Sequence, residues 1–165
     1  MKKVILIFVT IVLSGLLYAK DNKSTDALLR EIDGIIKNRQ TYGAEKEARI
    51  ADLKKLLAEA TSDEQRYGFC GRLFDEYRAY NLDSSFVYAQ RKEELAHRMD
   101  KLDYLDDAAM NMAEVMGTTG MYKEALELLG QINKKTLPDY LYGYYYHLYR
   151  TIMPLRRKSR KSIIE

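Results

Sequence analysis

Apolar side chains return every three or four residues along most of this chain, the rhythm of helices buried on one face. Leu28, Leu29, Ile32, Ile35 and Ile36 form the first such stripe, after a polar entry in which Ser24 or Thr25 can act as a cap. The rhythm lapses from Asn38 to Gly43, leaving Tyr42 alone, and resumes with Ile50, Leu53, Leu56 and Leu57. The other side of that second stripe, from Glu45 to Lys55, is charged and reads as a solvated face. Of an antiparallel pair and one long bent helix over these residues, the pair is expected. Thr61-Ser62-Asp63-Glu64 is a helix start, a capping residue followed by acids at the positive end of the dipole. It predicts a helix from about Asp63 to Tyr80 with Leu73, Phe74 and Tyr77 inward. Asn81-Leu82-Asp83 turns the chain, and Asp83 or Ser84 caps a further helix carrying Phe86, Tyr88, Ala89 and Leu95. Asp100 to Asp103 read as an elongated linker.

The segment 106–138, DDAAMNMAEVMGTTGMYKEALELLGQINKKTLP, reads as two short amphipathic helices around a Gly120-Met121-Tyr122 turn, closed by proline. This is the form of one tetratricopeptide-type repeat, a unit that cannot bury its own apolar face and must stack on neighbours. Ser85 aligns with Ala125 and Ala89 with Leu129 at an offset of 40, while Leu73 on Met112 and Tyr77 on Met116 give 39. The usual period is about 34, so these are longer, degenerate units of the same plan. A third unit opens after Pro138 with Leu141, Tyr145, Leu148, Tyr149 and Ile152 on one face, and is left without a second helix by Pro154 and the basic tail. The fold class is therefore all-α, helical hairpins stacked in a short solenoid. The divisions are a signal-peptide helix (1–19), an N-terminal helical pair (20–60), tetratricopeptide-like repeats (61–152) and a basic, disordered tail (153–165).

Composition agrees, with two prolines, no tryptophan and 47% hydrophobic residues. Lys2 and Lys3 precede an apolar run from Val4 to Leu17, and Leu17-Tyr18-Ala19 offers a small residue at a cut. Fourteen helical residues span roughly 21 Å against a hydrocarbon core of roughly 30 Å, which favours an export signal over an anchor. The formal charge of +3 is uneven. The tail 156–161, RRKSRK, is basic, whereas residues 20–155 hold 20 Lys and Arg against 23 Asp and Glu. That mildly acidic body offers no electrostatic footprint for nucleic acid.

Candidate chemistry is sparse. One cysteine excludes an internal disulfide, and Cys70 falls within a helical pattern as a buried, inert thiol. His97 and His147 lie fifty residues apart, too far for a local zinc or catalytic motif. Asp103, Asp106 and Asp107 resemble half a calcium loop, but the acid-rich start of a helix accounts for them better. No catalytic residue, cofactor or metal is expected. Met110, Met112, Met116 and Met121 fit core filling or an adaptable groove, and the tyrosines from Tyr140 to Tyr149 divide between packing and a binding surface. The surface expected to meet a partner is Tyr142, Tyr146, Met116 and Tyr122.

AEKEARIADLKKLL at 44–57, LFDEYRAYNLDSSFVYAQRKEELA at 73–96, GMYKEALELL at 120–129 and YLYGYYYHLYRT at 140–151 together resemble one known group. It is the exported tetratricopeptide-containing, transcriptional-regulator-like proteins of Gram-negative gut anaerobes. The resemblance implies a sensor whose periplasmic part is a helical repeat that binds protein or peptide, followed by a membrane helix and a DNA-binding region. TIMPLRRKSRKSIIE after Arg150 departs from it, so the chain reads as a truncated form lacking those later parts. A protein or peptide partner is expected, with self-association through the open final helix. The expectation includes no enzyme activity, no nucleic-acid binding by the folded body, a periplasmic or envelope location, and membrane contact only if the leader is retained. An exported glycan-binding accessory protein or small enzyme using the tyrosine-rich face is the alternative.

Overall fold

The computed structural model describes residues 25–164, and side chains as far as Arg156. The expected leader at 1–19 lies outside the described residues. Within them the chain is all-α: α1 covers 25–37, followed by α2 (Arg39–Glu59), α3 (Asp63–Tyr77), α4 (Leu82–Met99), α5 (Leu102–Thr118), α6 (Tyr122–Gln131) and α7 (Asp139–Ile164). Two compact units divide between Glu47 and Ala48.

In the first unit no reversing turn separates α1 from the start of α2. The Asn38 N–H donates to the Gly34 carbonyl, and the Tyr42 N–H to the Asn38 carbonyl, both at 3.1 Å. Helical bonding thus runs on through Asn38, and the one-helix alternative replaces the expected pair. The stripe from Leu28 to Ile36, expected to be buried, is at least half exposed at all five positions.

The second unit holds the repeats. Ser62 caps α3 by accepting the Gln65 N–H at 3.2 Å, and Gln65 Oε1 accepts the Thr61 N–H at 2.9 Å, a reciprocal arrangement close to a capping box. Asn81 caps α4, taking the Ser84 N–H at 2.9 Å; Asp83 and Ser84, the expected caps, already lie in the first turn. At the far end of α4, Asp100 enters the left-handed region (φ 50°) and its N–H returns to Ala96 and His97. That close reversal takes the place of the expected linker, because α5 begins at Leu102. Gly120, at φ +88°, turns α5 into α6, where the lack of a β-carbon carries no strain.

Two clusters form the core. The first gathers Cys70, Leu73, Phe74, Tyr77, Tyr88, Ala89, Leu95, Met112 and Val115, closed by Ile50 and Leu53 of α2. The second gathers Met110, Ala113, Ala125, Leu129, Leu141, Tyr145, Leu148 and Ile152. Helix α5 therefore packs on both sides: Met112 and Val115 face one cluster, Met110 and Ala113 the other. The repeat register holds at the level of burial, since Ser85, Ala125, Ala89 and Leu129 are all fully buried. Of the residues named for α4, Tyr88, Ala89 and Leu95 are buried and Phe86 is exposed. Gly117 lets Ile152 of α7 close onto α5: a β-carbon there would stand 2.8 Å from Ile152 Cγ1 and Cδ1. The tail at 153–164 is helical, not disordered. Pro154 removes one i→i−4 bond, but the helix-favouring residues around it carry α7 on to Ile164.

Candidate functional site

Because α3, α5 and α7 turn their apolar faces into the two clusters, their remaining faces meet in one groove. Each presents a ladder at helical spacing: Gly71, Asp75 and Arg78 from α3; Asp107, Asn111, Glu114 and Thr118 from α5; Tyr144, His147 and Thr151 from α7. A cavity of about 320 Å³ lies among Asp75, Arg78, Lys92, Asp107, Asn111 and Tyr144. A smaller one of about 150 Å³ lies between α5 and α7, among Glu114, Thr118, His147 and Thr151.

One polar network crosses this groove. Lys92 comes from α4, passes Gly71, and ends 2.6 Å from Asp107 Oδ2, with only 5% of its side chain exposed. Its ammonium also donates to Asn111 Oδ1 and lies 4.7 Å from the centre of the Tyr67 ring. The Tyr67 hydroxyl donates to Asp107 Oδ2 at 2.6 Å. On the other side of Asn111, Nδ2 donates to the Tyr144 hydroxyl at 3.1 Å, and that hydroxyl donates to Glu114 Oε2. Arg78 Nη1 reaches Glu114 Oε1 at 3.3 Å. Helices α3, α4, α5 and α7 are thus joined through side chains whose donors all lead to two carboxylates.

Burial, and then the neighbouring carboxylate, pushes the Tyr67 and Tyr144 phenols well above their ordinary range. Both stay protonated donors at neutral pH. Lys92 fixes the acceptor end of the Asn111 amide and Tyr144 the donor end, leaving one N–H and one lone pair of that amide for other partners. The groove is thus a set of oriented donors and acceptors on three rigid helices.

The expected surface residues divide. Tyr142 and Tyr146 do lie together, rings stacked at 6.2 Å and 13°, with Tyr146 exposed and the Tyr142 hydroxyl donating to the Lys134 carbonyl. Met116 instead fills the seam between the two clusters, as a residue on a helix packed from both sides must. Tyr122, like Tyr142, packs half-buried against the second cluster. His147 is exposed beside Thr151 at the groove's edge rather than packed within the core. Burial raises the Cys70 thiol, consistent with an inert side chain. Of the three acids resembling a calcium loop, Asp107 pairs with Lys92, Asp103 accepts from the Tyr140 hydroxyl at 3.3 Å, and Asp106 is buried. Arg78, Lys92, Asn111 and Glu114 were missed by sequence reasoning. The signal was present on α5, where polar Asp107, Asn111 and Glu114 interrupt an apolar helix at i, i+4 and i+7.

Residues 36–159 match the family model described as the SusR N-terminal TPR domain. No curated protein and no solved structure matches the chain.

Proposed function

The chain belongs to the family of the SusR N-terminal TPR domain, and from that premise we propose that its groove holds a segment of another polypeptide. It is a helical-repeat, regulator-like module, of a kind that generally mediates protein–protein interaction. In the proposed role it is the periplasmic sensing part of a membrane-associated transcriptional regulator, exported by its leader. The observation that carries the reading is the convergence of polar ladders from α3, α5 and α7 on one groove, with Asn111 held by Lys92 and Tyr144. Fixed amide and carboxylate groups on rigid helices suit the main-chain groups of an extended peptide, at low ordering cost.

Site-specific photo-cross-linking in cells tests it. A benzophenone amino acid at Asp75 or Thr118, both exposed in the groove, is expected to capture a discrete partner, and the same probe at Glu127 on α6 is not. Equal capture from Glu127, or none from the groove positions, would remove the assignment.

A further inference from the structure

The larger cavity is charge-balanced. Its charged lining is two cations and two carboxylates, and each cation has an acid beside it: Lys92 lies 2.6 Å from Asp107, and Arg78 lies 3.7 Å from Asp75. A charged group entering the cavity would meet no unpaired counter-charge, and burying such a group is costly. Asp75 and Arg78 stand at the mouth, with 66% and 46% of their side chains exposed, whereas Lys92 and Asn111 are buried at the inner end. At about 320 Å³ the space admits one side chain.

Asn111 is the buried group with bonding capacity left. Lys92 donates to its Oδ1, and its Nδ2 donates to the Tyr144 hydroxyl, so one N–H and one lone pair of the amide stay open. A main-chain peptide unit matches that pair poorly, because its trans geometry points N–H and C=O in opposite directions. A primary carboxamide carries donor and acceptor at one end and is uncharged. We infer that the inner end of this cavity takes the side-chain carboxamide of a partner's glutamine or asparagine. The inference rests on the reading of the groove as a polypeptide site and adds a residue preference to it. Glutamate has the outline of glutamine, but its carboxylate donates nothing to Asn111 Oδ1 and brings a charge with no counter-charge. Methionine would leave the Asn111 amide desolvated and unmatched.

Twenty pools of immobilised peptides, each with one fixed central residue between randomised flanks, test the preference with the full chain. The better of the Gln and Asn pools is expected to retain about tenfold more of the chain than the Glu, Lys or Met pool. Asn111→Leu is expected to abolish that preference. Gly71→Leu gives a second variant that leaves both Asn111 bonds in place. A β-carbon at Gly71 would lie 3.7 Å from Lys92 Nζ, an ordinary contact, so the leucine fills the cavity from a helix that favours it over glycine. It is expected to melt no lower than the parent chain and to show no carboxamide preference. Equal retention by the Glu, Lys or Met pool, or a carboxamide preference that survives Gly71→Leu, would overturn the inference. Retention by no pool would also overturn it, and cross-linking from Thr118 then decides separately whether the groove holds a polypeptide at all.

Discussion

Replacing Asp107 by alanine is expected to cost about 3 kcal/mol of stability, among the largest losses available to a single polar change here. Asp107 accepts from the Lys92 ammonium and the Tyr67 hydroxyl on the same oxygen, both at 2.6 Å. Lys92 is almost wholly buried, so its charge would keep only the Asn111 amide and the Tyr67 ring. Removing one partner of a buried pair costs about 3–5 kcal/mol, and the partial exposure of Asp107, 25% of its side chain, places this case at the lower end. The same rule predicts a second outcome. Lys92→Met together with Asp107→Leu is expected to recover most of the loss, since a well-packed apolar pair of similar volume often does as well as an ion pair. Urea unfolding at fixed pH and salt reads both; equal losses in the single and double variants would contradict this account of the network.

Tyr145→Ala is expected to cost about 3–5 kcal/mol, the range for emptying a large buried aromatic site. Tyr145 is 1% exposed and sits among Leu141, Leu148 and Ile152 of its own helix and Leu129 and Ile132 of the hairpin before it. It is the anchor by which α7 joins the stack, so the loss should be concentrated there. Hydrogen exchange should show α7 amides opening first, while α3 and α4, in the other cluster, keep most of their protection. Tyr146→Ala, one residue along and about half exposed, should change stability by less than about 0.5 kcal/mol. Comparable losses at 145 and 146 would mean that α7 is not seated as described.

The repeat architecture was legible because stacking leaves a periodic trace: small or apolar residues recur at Ser85 and Ala125, and at Ala89 and Leu129, and all four are buried. The groove was half legible. Asp107, Asn111 and Glu114 stand at one-face spacing, yet Lys92 on α4 cannot be told from any solvated lysine until the approach of α5 is known. Met116 and Tyr122 were ambiguous for the opposite reason: large apolar residues near a turn fit both a surface and a seam, and α5 is packed on two sides. The stripe on α1 shows a further limit. Periodicity shows that a face needs cover, and says nothing of whether the same chain supplies it. The cap of α4 moved from Asp83 or Ser84 to Asn81 because three adjacent residues share the same capping chemistry.

The most direct test of the central claim, that α3, α5 and α7 converge on one groove, is a double-mutant cycle between α5 and α7. Glu114→Ala and Tyr144→Phe each remove one side of the hydroxyl–carboxylate contact that ties these helices. The account predicts a coupling energy of about 1–2 kcal/mol, as for a partly buried hydrogen bond to a charged group. Additivity within about 0.3 kcal/mol would contradict it.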